Sequence, residues 1–200
     1  MRMIIRFFDV LFSSLGLIIL SPLFLILVVW IKIDSKGPVF YKQSRVGKDN
    51  HDFYLYKFRT MAVDADKKGL ITIGGRDPRI TRLGFYLRKY KIDELPQLMN
   101  VLLGDMSLVG PRPEVRQYVE KYNSQQRQVL SVKPGITDYA SIQYIDENEL
   151  LAQSNDPEET YIQVVLPEKV AYNMKYINNQ SIKEYFKILF LTIKKILSSF

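Results

Sequence analysis

The feature that most constrains this chain is an uncharged run of 22 residues from Val10 to Ile31. A helix of that length reaches roughly 33 Å, enough to cross the hydrocarbon core of a bilayer. Arg2 and Arg6 precede the run, and Lys32 and Lys36 follow it. A secretory signal also pairs a basic start with an apolar run. This one is long for that purpose, and no small-residue cleavage pattern follows it. Ser21-Pro22 sits in its middle. Proline lacks an N–H donor and its ring clashes with the preceding turn, so a kink or break is expected there. A sharp break would leave arms of roughly 18 and 14 Å, neither long enough to cross alone. Basic residues on both flanks suit either a spanning helix or a hairpin that enters and leaves on one face. The residues alone leave both open, because bilayers tolerate proline in spanning helices.

Residues 1–36 therefore read as a membrane-anchoring element and residues 37–200, opened by Gly37-Pro38, as one compact domain. The chain has 28 Lys and Arg against 21 Asp and Glu, a net charge of +7 that suits anionic partners. Nucleic acid, anionic lipid and phosphorylated substrates all qualify by charge, but no nucleic-acid-binding motif is present. There is no cysteine, which excludes disulfides and thiolate metal sites, and His51 is the single histidine. Catalysis would fall to carboxylates, Lys, Ser or Tyr.

The rest of the chain predicts an α+β, mostly helical domain. Val39 to Arg45 and Phe53 to Met61, rich in Tyr, Phe and Val, flank Gly47-Lys48-Asp49-Asn50 and read as a β-hairpin. Gly69 to Arg79, with Gly74-Gly75 and Asp77-Pro78, reads as a loop without a phosphate-binding fingerprint. Ile80 to Lys91 reads as a short basic helix, and Ile92 to Leu103 as a second one stopped by Gly104. Leu108 to Pro113 is extended, Glu114 to Leu130 a polar helix, Lys133-Pro134-Gly135 a turn and Ile136 to Tyr144 a strand. An acidic loop at Asn155 to Glu159 precedes a helix from Tyr161 to Ile177. Ser181 to Leu197 closes the chain as an amphipathic helix with Lys183, Lys187, Lys194 and Lys195 on its polar side. It would pack on the core or lie on anionic lipid.

The chemistry concentrates between Arg88 and Arg112. Asp93-Glu94 offers adjacent carboxylates, one able to attack or take a proton while the other holds a metal. Pro96 belongs in a first helical turn, which places Asp93 at or just before a helix start. The plainer alternative is that Asp93 is only an N-cap and Glu94 a solvated acid. Arg112, between Pro111 and Pro113, holds a planar fork on a stiff segment suited to a phosphate. Lys57 and Arg59 alternate along the predicted strand. They would be solvated on an open face, or neutralise a diphosphate in a cleft.

Several short runs then occur in a telling order. They are Lys57-Phe58-Arg59-Thr60-Met61, Asp93-Glu94-Leu95-Pro96-Gln97, Gly104-Asp105-Met106-Ser107, Gly110-Pro111-Arg112-Pro113 and Lys133-Pro134-Gly135-Ile136-Thr137. Behind the Ser21-Pro22 segment they resemble the bacterial sugar transferases, the monotopic phosphoglycosyl transferases, over roughly residues 1 to 145. The chain looks like the minimal, catalytic-domain type.

The resemblance implies that Ser21-Pro22 breaks the membrane helix into a re-entrant hairpin at the bacterial inner membrane, with the domain on the cytoplasmic face. It implies that Asp93 attacks the β-phosphate of a UDP-sugar, with an N-acetylated amino sugar the expected donor. UMP leaves, and polyprenyl phosphate takes the sugar phosphate from the aspartyl intermediate. Glu94 would bind Mg²⁺, an oxygen-seeking ion that bridges phosphates. Lys57, Arg88 and Arg112 would surround the phosphates, with Arg59 and Asp105 as further members. A homodimer is compatible with the family. A single ternary displacement with Asp93 as base, and a non-catalytic membrane-anchored binding protein, are the competing readings.

Overall fold

The computed structural model describes residues 1–65, 77–144 and 147–198, with the backbone alone at 148 and 149. The expected Gly74-Gly75 loop lies outside the described residues. The apolar run becomes one helix, α1 (Arg2–Asp34), with Pro22 inside it. Its most apolar 18 residues have a mean hydropathy of 2.6 and only 11% of them are buried, which is unlike a core helix. Its buried residues Asp9, Ser13, Leu27 and Ile31 fall on one face at 3.6 residues per turn. That face rests on the domain at both ends of the helix.

The hairpin forms as the alternation predicts. β1 (Phe40–Val46) pairs antiparallel with β2 (Asp52–Phe58), Phe40 opposite Phe58 and Val46 opposite Asp52. α2 (Arg82–Lys89) is capped by Thr81 Oγ1, which accepts from the Gly84 N–H at 3.0 Å. A Cβ on Gly84 would lie 2.0 Å from the Thr60 carbonyl oxygen, so glycine is what lets α2 abut the end of β2.

The predicted helix from Ile92 divides in two. A 3₁₀ turn spans Ile92–Glu94, and α3 (Gln97–Leu103) follows Pro96 and ends at left-handed Gly104 (φ 98°). Asn100 inside α3 donates to the Tyr54 carbonyl and accepts from the Tyr56 N–H, fastening the helix to β2.

β3 (Ser107–Val109) pairs parallel with β4 (Gly135–Thr137). Behind them, Gly110 and Gly135 touch so closely that a Cβ on Gly135 would meet the Gly110 nitrogen at 2.1 Å. Two motifs 25 residues apart in the chain thus meet at backbone distance.

The predicted polar helix from Glu114 to Leu130 is shorter than its pattern suggested. α4 covers only Arg116–Val119. Asn123 and Gln126 then exchange side-chain-to-backbone bonds that turn the chain into a 3₁₀ stretch, Gln126–Ser131. The predicted strand from Ile136 to Tyr144 is mostly helix. Asp138 accepts from the Ser141 N–H and starts α5 (Tyr139–Gln143). α6 (Glu147–Ala152) follows. The predicted acidic loop holds a helical turn, α7 (Pro157–Thr160), capped by Asp156. It runs through a π-turn (Tyr161–Val165) into α8 (Leu166–Asn178), and α9 (Ile182–Ser198) closes the chain as predicted.

Among the described residues, three apolar clusters carry the fold. One joins Val46, Tyr118, Tyr161 and Val165. A second joins Leu55, Met106, Val109, Tyr185 and Ile188. The third joins Leu27 and Ile31 of α1 to Phe58, Leu83 and Leu87. β2 contributes Leu55 to one and Phe58 to another, which pins the strand on both sides of Lys57.

Candidate active site

A cleft of about 680 Å³ opens between the hairpin, α2, the 3₁₀ turn and the 110–113 segment. Among the described residues its walls carry nine basic side chains against five acidic ones, a balance that favours a multiply charged anion.

Lys57 projects from β2 and donates to Glu94 Oε1 at 2.8 Å. Arg112 approaches the same carboxylate with both Nη atoms, Nη1 on Oε2 at 3.0 Å and Nη2 on Oε1. Burial alone would raise the Glu94 carboxyl, but Arg112 and Lys57 outweigh it and hold it well below its ordinary value. The Arg112 backbone is itself held. Its N–H donates to Asp138 Oδ2 at 3.0 Å, and the Gly135 N–H donates to the Pro111 carbonyl at 2.9 Å.

Asp93 is next to Glu94 and differs from it. It is 5% exposed and forms no side-chain hydrogen bond or ion pair among the described residues. Burial, reinforced by the Glu94 charge, raises its carboxyl above the ordinary carboxylate range, with Lys57, Arg88 and Lys91 opposing from a distance. Lys91 sets the turn in a left-handed conformation (φ 56°), unusual for a side chain with a Cβ. Such conformations persist where surrounding structure over-determines them, commonly at functional sites. Arg88, in the last turn of α2, also lines the cleft.

The predicted site therefore gathers Lys57, Arg88, Asp93, Glu94 and Arg112 in one place. The two further expected members differ from these: Arg59 lines the cleft but is engaged elsewhere, and Asp105 is off its wall. Arg59 follows the end of β2, and its guanidinium donates to the carbonyls of Ser35 and Lys36, closing the exit of α1. It lines the cleft while its Nη atoms serve that loop. Asp105 is exposed at the turn after Gly104, facing the Asn100 amide at 3.4 Å, and is not on the cleft wall. The left-handed turn at Gly104 points it away from the carboxylate pair. Ser21 donates to the Ile18 carbonyl at 2.8 Å, and both Ser21 and Pro22 are exposed on α1.

Sequence reasoning missed a buried ionic group behind the Pro-Arg-Pro segment. Arg45 donates to the Pro113 carbonyl at 3.0 Å. Glu114 accepts from Tyr161 at 2.6 Å, and Lys169 lies 3.4 Å from Glu114 and 3.0 Å from Glu147. Only the basic-acidic alternation of Arg112 and Glu114 around Pro113 hinted at it.

Among the described residues no group of three or more His, Asp or Glu side chains could hold a metal by itself. Magnesium commonly takes one or two carboxylates and completes its shell with substrate phosphates and water. Glu94 accepts three N–H bonds, which leaves one of roughly four acceptor positions, and Asp93 is adjacent. The pair fits a phosphate-bridged ion rather than one held by protein alone.

A model of the family described as bacterial sugar transferase matches residues 1–199. A UDP-N-acetylgalactosamine-undecaprenyl-phosphate N-acetylgalactosaminephosphotransferase of Aeromonas hydrophila is 39% identical over 98% of this chain and 44% of its own length. A UDP-glucose:undecaprenyl-phosphate glucose-1-phosphate transferase of Klebsiella pneumoniae is 37% identical over 95% of this chain and 39% of its own length. An uncharacterized sugar transferase of Bacillus subtilis is 41% identical over 88% of this chain and 78% of its own length. The chain thus spans less than half of the first two relatives and most of the third. With the family match running nearly end to end and Lys57, Asp93, Glu94 and Arg112 of its motifs on one cleft, this chain belongs to the bacterial sugar transferase family.

Proposed function

We propose that this chain transfers a sugar 1-phosphate from a UDP-sugar to a polyprenyl phosphate in the membrane, releasing UMP, as the first step of a bacterial glycoconjugate. The observation that carries the reading is the asymmetry of the carboxylate pair: Glu94 takes both cations, and Asp93 stays buried without a hydrogen bond. An ionised carboxylate that no protein donor holds, set on a cleft wall where a substrate can reach it, is free to act as a nucleophile.

In the proposed chemistry an Asp93 carboxylate oxygen bonds to the β-phosphorus. The bond from that phosphorus to the bridging oxygen breaks, and UMP leaves with the electron pair. A phosphate oxygen of the lipid then bonds to the same phosphorus, the bond to Asp93 breaks, and the carboxylate is regenerated. Lys57, Arg88 and Arg112 neutralise the charge that gathers as two anions approach. Glu94, with Asp93 beside it, would hold Mg²⁺ against the donor diphosphate, where the ion supplies Lewis-acid stabilisation of the departing phosphate. A covalent sugar phosphate lets the soluble donor leave before the lipid enters. The raised proton affinity of Asp93 would also suit a base in a single ternary displacement. Label retained on the protein after exposure to donor alone separates the two.

The anchor reading follows from contact at both ends of α1. Near its start Arg6 donates to the Val101 and Leu102 carbonyls, and Asp9 bonds into β3. Near its end Leu27 and Ile31 pack on Phe58, Leu83 and Leu87. A helix that grips one domain at both ends has both ends on one side of the membrane. This favours an anchor with both ends on one face, which we assign to the cytoplasmic side of the inner membrane; α1 is one helix through Pro22 here, so the re-entrant turn at Ser21-Pro22 rests on the family resemblance. For the donor we favour an N-acetylated amino sugar.

The test is nucleotide release from solubilised protein with Mg²⁺, undecaprenyl phosphate and a panel of UDP-sugars. UMP that depends on the lipid and on one sugar supports the reading and identifies the donor. UDP in its place would mean ordinary glycosyl transfer and would overturn it.

A further inference from the structure

Helix α9 has two faces with different surroundings. Phe186, Phe190, Ile193 and Leu197 recur at helical spacing and face outward. At 100° per residue, Lys183, Lys187 and Lys194 fall roughly 20–60° to one side of Phe190. Phe186 packs edge-on against Phe8 and Phe12, so the outward apolar faces of α9 and α1 adjoin. A helix so arranged lies along a membrane surface with its lysines at headgroup level.

The inner face of α9 holds the protein together and then meets the cleft. Tyr185 and Ile188 are fully buried, and Thr192 Oγ1 is 2.7 Å from Thr137 Oγ1 of β4. At this end of the helix Thr192, Lys195 and Ile196 line the same cleft as Asp93 and Glu94, alongside Leu98 and Ile142. Leu98 lies against the middle of α1, where a Cβ on Gly16 would be 3.1 Å from Leu98 Cδ1.

Around the helix, Ile193, Ile196, Thr192 and Lys195 follow one another within roughly 160° of its circumference. The surface therefore changes from outward apolar to basic cleft wall in under half a turn. A lipid phosphate keeps its chain in the bilayer, so its way in must border the membrane face and the cleft together.

We propose that the C-terminal end of α9 is the port through which the lipid-linked phosphate acceptor enters, its chain against Ile196 and Leu98 and its phosphate on the Lys195 ammonium. This rests on the reading of the chain as a phosphoglycosyl transferase. Lys195 thereby acts on acceptor binding and not on the donor.

The experiment compares full-length wild type, Lys195→Ala, Lys195→Arg and Lys194→Ala in mixed micelles, measuring KM for polyprenyl phosphate and for the UDP-sugar separately. Loss of one charge-assisted phosphate contact predicts about a tenfold rise in acceptor KM for Lys195→Ala, with donor KM unchanged. Lys195→Arg restores acceptor KM to within about twofold, because it keeps the charge. Lys194→Ala, on the outward side, leaves acceptor KM unchanged. An unchanged acceptor KM in Lys195→Ala, or an equal rise in both KM values, overturns the port. Wild-type protein that releases no UMP in the same assay overturns the transferase reading first, and the port with it.

Discussion

Two buried aspartates in this molecule sit in opposite surroundings. Asp9, at the start of the apolar run, is 2% exposed and accepts three hydrogen bonds: Ser107 Oγ at 3.0 Å, the Leu108 N–H at 2.9 Å and Tyr185 Oη at 2.9 Å. Asp93, in the cleft, is 5% exposed and accepts none among the described residues. A buried carboxylate costs several kcal/mol unless its lone pairs are satisfied. Asp9 meets that cost locally and joins α1, β3 and α9. Asp93 has no such donors, and its carboxylate opens onto the cleft instead. A carboxylate wrapped in donors marks a staple, and one left without donors at a cleft wall marks a group kept for chemistry.

The largest effect expected from this contrast is on rate. Asp93→Asn should lower kcat by at least ~10³-fold while the protein stays folded. It should also raise Tm by about 3 °C at neutral pH, because a buried charge without partners has been removed. Calorimetry beside kinetics checks both, and a destabilised Asp93→Asn would break the contrast.

Next comes Glu94→Gln. It strands Lys57 and Arg112 and removes the carboxylate proposed to hold Mg²⁺. We expect a ~10²–10³-fold loss of kcat. Full activity in this variant, with or without Mg²⁺, would remove Glu94 from the metal site.

Asp9→Ala should do the reverse of Asp93→Asn. It leaves three donors buried without an acceptor and should cost about 2–4 kcal/mol of stability, seen as a lower denaturation midpoint. The fraction that remains folded should keep wild-type turnover. Tyr185→Phe removes one of the three bonds and should cost about 1 kcal/mol.

The smallest effect is on pH dependence. Because the Asp93 carboxyl is raised, the acid limb of kcat should lie above the ordinary carboxylate range. Lys57 lowers the Asp93 value, so Lys57→Gln should move that limb to higher pH. For stability the sign is the same as in the first prediction. A carboxyl raised in the fold destabilises it above that raised value and ceases to do so below the unfolded value. The gain from Asp93→Asn should therefore be present at pH 7 and vanish near ~pH 4. Glu94, held low, works in the opposite direction: its contribution is lost as pH falls through its depressed value.

Much of this was legible before the fold. The alternation of Tyr, Phe and Val predicted the β1–β2 pair. Pro96 placed Asp93 just ahead of α3, and the amphipathic pattern of Ser181 to Leu197 predicted α9. Period and proline chemistry are local, so a sequence carries them. What it did not carry was set by contacts between distant residues. The strand expected at Ile136 to Tyr144 became α5 because Asp138 caps it while also holding the Arg112 N–H, 26 residues away. Arg59 alternates with Lys57 along the chain, yet β2 ends at Phe58, and Arg59 bonds the Ser35 and Lys36 carbonyls while Lys57 bonds Glu94. The role of Asp9 was invisible because its three partners lie about 100 or more residues downstream.

The most direct test of the account is to mix the protein with UDP-sugar and Mg²⁺ without lipid, quench, and map any adduct by mass. Stoichiometric UMP is expected, with one sugar phosphate on the peptide bearing Asp93, discharged when polyprenyl phosphate is added. UMP that forms only in the presence of the lipid, with no adduct on that peptide at any time, would contradict it.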